Sequence, residues 1–296
     1  MKIFIKKIYD VIPFKKQIFT AIKFFVSPSQ PVYQHLYFNG TIKVKINEQQ
    51  RFKIIHYGHT IENDIFWKGL FGSWEKNAMK CWAALSAQSN VIFDIGANTG
   101  IYSLVAKAVN PQSEVHAFEP FEAIFKKMEK NAVINNYDIH ANCMAISNYT
   151  GDAVIFTGDA NFAYSVTVNK NLWVKDKEPI KLNIKTITLK DYIEQNGITA
   201  IDLMKIDVET HEPEVMEGFE DYYNRFKPIL LIEILNDEVV EKLNAYFKAA
   251  GGLVFFHIDE LTGIKEVKEL FTSKFYNFLI VPKVKLDFFK KAIFTS

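Results

Sequence analysis

The residues of this sequence best suited to chemistry are acids and histidines that close apolar runs: Asp94, Glu119, Asp207, Glu209, His211, Glu233 and His257. Asp94 opens Asp94-Ile95-Gly96-Ala97-Asn98-Thr99-Gly100, where an apolar run gives way to small residues and then to a helical pattern. A turn of that kind lets a ligand reach the backbone and the helix N-terminus. Twenty-five positions after Asp94 comes Phe118-Glu119-Pro120. A carboxylate closing that second strand is placed to accept both hydroxyls of an adenosine ribose. In this order and at this spacing, the two segments point to a nucleotide site. The dinucleotide fingerprint is missing, because Asn98 replaces its second glycine and Ile101 follows Gly100, and the loop has no lysine for a triphosphate. Asp94 would repel a pyrophosphate and suits a cationic ligand, such as the amino group of S-adenosylmethionine.

Elements must hold these groups in place. From residue 90 short strands alternate with helices: strands are expected at 91–95, 114–118, 139–146, 201–206, 228–234, 253–257 and 275–281. Helices are expected near 100–109, 121–135, 189–196, 212–225 and 238–250. Continuous apolar runs such as Ile229-Leu230-Leu231-Ile232 suit a sheet covered on both faces. This rhythm predicts a doubly wound α/β sheet. Residues 150–186 interrupt it and read as extra β-structure or a loop, the sort of insertion that shapes a substrate site. Upstream, residues 1–30 form a basic amphipathic segment, and Ser27-Pro28-Ser29-Gln30-Pro31 marks a boundary. A β-hairpin over 36–46 and 51–57, turning at Asn47–Gln50, and a Trp- and Ala-rich helix at about 73–87 make an extension over 31–88. The catalytic region then spans 89–296.

The segment Asp94 to Leu104 resembles the first motif of the FkbM family of S-adenosylmethionine-dependent methyltransferases, and Phe118-Glu119-Pro120 resembles its second. Asn131 and Asn136 match the asparagine-rich helix end, and Ile187 to Asp191 is similar to the strand–turn that follows. Ile201-Asp202-Leu203-Met204-Lys205-Ile206-Asp207-Val208-Glu209 is similar to the most distinctive motif of the family, and Pro228 to Glu233 to its next strand. One departure stands out: Thr210 occupies the place of the usual glycine, while Glu212 is retained. The resemblance implies a Rossmann-like class I fold with a seven-stranded sheet. It also implies S-adenosyl-L-methionine as cofactor and methyl transfer to a hydroxyl of a sugar or natural product. The expected cofactor contacts are Asp94, Gly96, Ala97, Asn98, Gly100, Glu119, Pro120, Ala145 and Asp207.

Methyl transfer to a hydroxyl needs positioning and removal of a proton. Asp207 is expected to orient the methionine end or the acceptor, with Glu209 or His211 as general base and Glu233 nearby. A divalent metal held by some of Asp207, Glu209, Glu233 and His257 is the alternative, since hard oxygen ligands suit Mg²⁺ or Mn²⁺. Plainer roles exist for several of these: His211 as a helix-start residue, His257 as a packed core histidine, and Glu233 as a partner for Lys205. Trp67, Phe71 and Trp74 are core aromatics that could also line a sugar site.

Composition narrows the field further. Apolar residues at 49% and charged residues at 23% exclude a disordered chain, and two cysteines, Cys81 and Cys143, exclude a disulfide scaffold. The net charge of +1 hides an uneven distribution. Residues 1–28 hold six lysines against one acid, and 274–296 five against one, leaving a body with 24 basic and 32 acidic residues. An acidic body argues against nucleic acid as a partner. Without an unbroken apolar stretch at the N-terminus, the chain is expected in the cytoplasm, peripheral on the inner membrane face if residues 1–28 lie on anionic lipid. The competing role for that segment is packing on the body or on another copy. The expected acceptor is a sugar in a glycan, lipid-linked in one version. A small natural product, or a catalytically silent scaffold in a glycan-assembly complex, are the alternatives.

Overall fold

A computed structural model of the chain describes residues 12–72, 75–157 and 180–294. Its contacts divide the chain into two units, Met1–Lys76 and Asn77–Ser296.

In the first unit, α1 (Lys15–Phe25) buries Phe19 against Phe38 and Trp67, while Phe24 and Phe25 stay exposed. The expected hairpin forms from β1 (Gly40–Lys45) and β2 (Arg51–His56). Ile42, Val44, Phe52 and Ile54 point inward, with lysines and an arginine between them. The side chain of Asn47 fixes the turn by accepting from the amides of Gln49 and Gln50. α2 (Thr60–Lys68) covers the inner face and buries Trp67, whose indole donates to the Leu36 carbonyl. Trp67 is therefore a core residue of this unit. Trp74 lies outside the described residues.

The second unit takes in α3 (Lys76–Ser86) from Asn77 onward, where the Trp- and Ala-rich helix is expected, and runs on to β3 (Val91–Ile95), α4 (Ile101–Val109), β4 (Glu114–Phe118) and α5 (Glu122–Asn135). Then come β5 (His140–Asn142), β6 (Ala145–Ser147), β7 (Gly151–Thr157), β8 (Ile180–Thr188), α6 (Leu189–Asn196) and β9 (Leu203–Ile206). The chain closes with α7 (Glu212–Glu217), α8 (Tyr222–Phe226), β10 (Ile229–Glu233), α9 (Asp237–Ala250), β11 (Leu253–Asp259), β12 (Gly263–Val267), β13 (Asn277–Pro282) and α10 (Leu286–Phe294).

The main sheet has the order β12-β11-β13-β10-β9-β3-β4-β5. β5, β4, β3, β9 and β10 are parallel, and β13 enters antiparallel. This is the expected Rossmann-like doubly wound sheet of seven strands with an eighth, β12, added at the edge by a hairpin. The strand order reverses between β3 and β9, where open α/β sheets hold their ligands. Phe93, Ile95, Met204, Ile206, Leu230 and Ile232 form its buried middle, in line with the continuous apolar runs.

Two expected elements are interrupted. The strand over 139–146 splits at Cys143-Met144 into β5, which stays in the main sheet, and β6, which joins β7 and β8 in a second sheet. The helix over 212–225 breaks into α7 and α8 around Gly218, whose missing side chain lets it press on Ser147: a Cβ there would stand 2.1 Å from the Ser147 carbonyl oxygen. The insertion supplies real β-structure in β7 and β8, and its centre, 158–179, falls outside the described residues.

Candidate active site

Three loops meet at the carboxyl ends of β3, β4 and β9. After β3, the amides of Gly96 and Ala97 donate to the Phe118 carbonyl, which folds the turn over the end of β4. Gly96 has φ +79° and passes so close to β9 that a Cβ would stand 1.8 Å from the Asp207 carbonyl oxygen, so only glycine fits. Asn98 also takes a left-handed backbone, at φ +50°. Asn131 of α5 donates to the Thr99 carbonyl, bolting the turn from behind, and Asn136 ends α5 at φ +54°.

Asp94 lies one residue inside the end of β3 and is fully buried. Its Oδ2 accepts from the amide and hydroxyl of Ser103 at 3.0 and 2.6 Å, which ties α4 to the strand. Oδ1 is buried without a hydrogen-bond partner among the described residues. Burial pushes this carboxyl above the usual range, against the pull of Lys205 and Ser103. Half of Asp94 is thus structural, and one oxygen is left for a donor.

Lys205 stands beside Asp94 in the sheet register and is only 3% exposed. Its ammonium meets Asp207 Oδ2 at 2.7 Å and lies 4.6 Å from the centre of the Tyr102 ring. The lysine therefore neutralises acid at the site, with Asp207 as its partner. Tyr102 lies within the first motif, but its contact with Lys205 has no signal in the sequence because it depends on strand register.

Glu119 bridges two loops. Its Oε2 accepts from the Asn98 amide at 3.0 Å and its Oε1 from the Phe121 amide at 2.9 Å. Burial pushes its pKa up to about 7. Each oxygen keeps a further lone pair, so two hydroxyls could still be accepted. Pro120 follows in the same turn, and Ala145 opens β6, paired with Thr186 of β8.

Beyond β9 the chain turns sharply. Glu209 and Thr210 have φ of +55° and +77°, a region that disfavours side chains and most of all a β-branched one. The buried Glu212 holds this turn, its Oε1 accepting from the amides of Val208 and Thr210 at 3.1 and 3.3 Å. Glu209 is half-buried, and desolvation with Asp207 nearby raises its pKa to about 7. His211 is engaged on both sides, by the Ser147 hydroxyl at 3.0 Å from Nε2 and by Glu214 at 3.5 Å from Nδ1. Ser147 carried no sequence signal, because its contact depends on how β6 meets α7.

The alternative metal set does not assemble. Among the described residues, no three of Asp207, Glu209, Glu233 and His257 bring ligand atoms within 4.8 Å of one another. Glu233 ends β10 opposite Asn277 of β13. His257 stands three strands from β9 along one register row, about 14 Å at the usual strand spacing. Its Nε2 meets the Phe275 carbonyl oxygen at 2.8 Å, and its ring packs on Phe271 and Phe278. It is a packed core histidine.

The family model described as the methyltransferase FkbM domain matches residues 94–254, just over half of the chain. The 31-O-demethyl-FK506 methyltransferase FkbM of Streptomyces tacrolimicus is 31% identical over 156 residues, 45% of this chain and 60% of that protein. The hexuronic acid methyltransferase AglP of Haloferax volcanii is 23% identical over 146 residues, 49% of this chain and 56% of that protein. The chain thus matches less than two thirds of the length of these relatives. The crystal structure of a methyltransferase FkbM from Methylobacillus flagellatus aligns with a TM-score of 0.43 at 14% identity, over 65% of this chain and 43% of that one.

Proposed function

The chain belongs to the methyltransferase FkbM domain family, and from that membership we propose that it is an S-adenosylmethionine-dependent O-methyltransferase acting on a sugar hydroxyl of a glycan. The observation that carries this reading is Glu119, a buried carboxylate just after β4 that accepts from the Asn98 amide of the glycine turn after β3 and from the Phe121 amide of its own loop. The site fits the cofactor: Glu119 suits the ribose hydroxyls, Gly96 leaves room for close backbone approach, and the unpartnered Asp94 Oδ1 suits a cationic donor. When bound, the cofactor supplies an electrophilic methyl group.

The residues of the chain do the rest. Lys205 orients Asp207 through its Oδ2, so that Oδ1 can hold the methionine amino group or an acceptor hydroxyl. Glu209 is the general base. With a pKa of about 7 it is about half ionised at neutral pH, and its carboxylate form is basic enough to take a hydroxyl proton. His211, committed to Ser147 and Glu214, positions the loop that carries Glu209. No metal enters this scheme.

The name of the hexuronic acid methyltransferase AglP supports a sugar acceptor, and that of 31-O-demethyl-FK506 methyltransferase supports a natural-product hydroxyl as the second reading. Incubation with methyl-labelled S-adenosylmethionine and glycan or lipid-linked glycan fractions, followed by mass spectrometry, separates them. Label on a sugar oxygen is expected. Transfer confined to small hydroxylated natural products would overturn the sugar assignment, and no transfer to any acceptor would favour a silent scaffold.

The basic N-terminal segment, in this proposal, rests on anionic lipid at the inner membrane face. Exposed Phe14, Phe24 and Phe25, with Lys15 and Lys16 on the same short helix region, support that placement. No helix among the described residues is long and apolar enough to cross a membrane.

A further inference from the structure

At the opposite end of β4 from Glu119, three side chains on one face of the sheet converge. Glu114 and His116 are two apart on β4, and His140 of β5 pairs directly with His116 in the register. His116 Nε2 lies 2.9 Å from Glu114 Oε1, and His140 Nε2 lies 4.0 Å from the same oxygen. The two imidazoles stack with centroids 4.6 Å apart. One ligand atom from each of the three falls within 4.8 Å of the others.

The far nitrogen of the buried histidine is also held. His116 Nδ1 meets the hydroxyl of Tyr192 from α6 at 2.8 Å, and Asn142 Nδ2 donates to the same hydroxyl at 3.2 Å. The phenol oxygen accepts from Asn142 and can either donate its proton to Nδ1 or accept one from it, so Nε2 can donate to Glu114 when no ion is present. A cation taking the place of the Nε2 proton would leave the ring proton on Nδ1, where Tyr192 can accept it. Metal-binding histidines show the same pattern, with the second nitrogen fixed by an outer partner. Glu114 and His140 have side chains 45% and 50% exposed, so an ion and a water have an open path and these two ligands can adjust.

We propose that Glu114, His116 and His140 form a divalent transition-metal site, with Zn²⁺ as the ion its two imidazoles and one carboxylate suit best. Tetrahedral ligands about 2.0–2.2 Å from zinc stand about 3.4 Å apart, between the two distances to the Glu114 oxygen. Reaching that geometry requires the exposed His140 ring to turn out of its stack on His116 and the exposed Glu114 side chain to adjust with it. The ion would clip β5, a three-residue edge strand, to β4 and, through Tyr192, to α6. It lies apart from the methyl-transfer site: Glu119 is three residues further along from His116, about 10 Å at the strand rise. Its role is to brace the strand that carries the ribose-binding carboxylate.

The full-length chain, stripped with a chelator and dialysed, can be titrated with Zn²⁺ by calorimetry and with Co²⁺ by visible absorption. One equivalent is expected, with cobalt bands of a four-coordinate site. His140→Ala and Glu114→Gln each alter an exposed side chain and should weaken binding at least about tenfold, while His257→Ala should leave it unchanged. Absence of saturable uptake, or equal affinity in the His140→Ala and Glu114→Gln proteins, would overturn the site.

Discussion

Glu209 and Glu119 both sit near pKa 7 for the same reason, burial of a carboxylate, yet the proposed scheme gives them different duties. A base works as the carboxylate, so turnover at saturating cofactor should fall as pH drops below about 7, where Glu209 takes up a proton. Glu209→Gln should lower kcat by roughly 10²–10⁴-fold, the range of general-base contributions, and abolish that acid limb while cofactor affinity holds. A variant that keeps both rate and pH profile would remove Glu209 from the chemistry. Much at this scale was legible in the sequence: the positions of Asp94, Glu119, Asp207 and Glu209 at strand ends follow from apolar runs closing on acids. The pairing of Lys205 with Asp207 and the contact of His211 with Ser147 were not, because each depends on strand register or on two elements meeting in space. The half-structural role of Asp94 was hidden for the same reason, since Ser103 binds it from the next helix.

The loop after β9 carries Thr210 where the resemblance implies glycine, and its backbone gives that residue a cost. A threonine at φ +77° is strained by about 1–3 kcal/mol. Thr210→Gly should therefore stabilise the protein by about 1 kcal/mol after the added chain entropy of glycine, raising Tm by roughly 2–4 °C for a unit of this size. Thermal unfolding checks this, and a fall in Tm would show that the Thr210 side chain offsets its own strain. The elements themselves followed the sequence closely where turn residues bound an apolar run, as at 91–95, 114–118 and 189–196. They departed from it where continuity of pattern concealed a change of partner. Over 139–146 an alternating stretch passes into the apolar run Cys143–Ile146 with no glycine or proline to mark a break, while the chain passes from one sheet to another. β12, short and charged at a sheet edge, has too little apolar signal to separate it from a loop.

Across the whole molecule, the near-neutral charge divides between an acidic body that carries the site and basic ends. Truncation of residues 1–28 should reduce co-sedimentation with vesicles rich in anionic lipid, and added salt should weaken the binding of the intact chain. Binding that survives truncation would assign those residues to packing or self-association instead. The central claim is that the turn after β3 and Glu119 at the end of β4 form a site for S-adenosylmethionine. Calorimetric titration with S-adenosylhomocysteine tests it most directly. One equivalent should bind to the intact chain, and Glu119→Ala should bind roughly 10–100-fold more weakly, the worth of about 1.5–3 kcal/mol of charge-assisted hydrogen bonding. Absence of binding to the intact chain, or undiminished affinity in the Glu119→Ala protein, would contradict it.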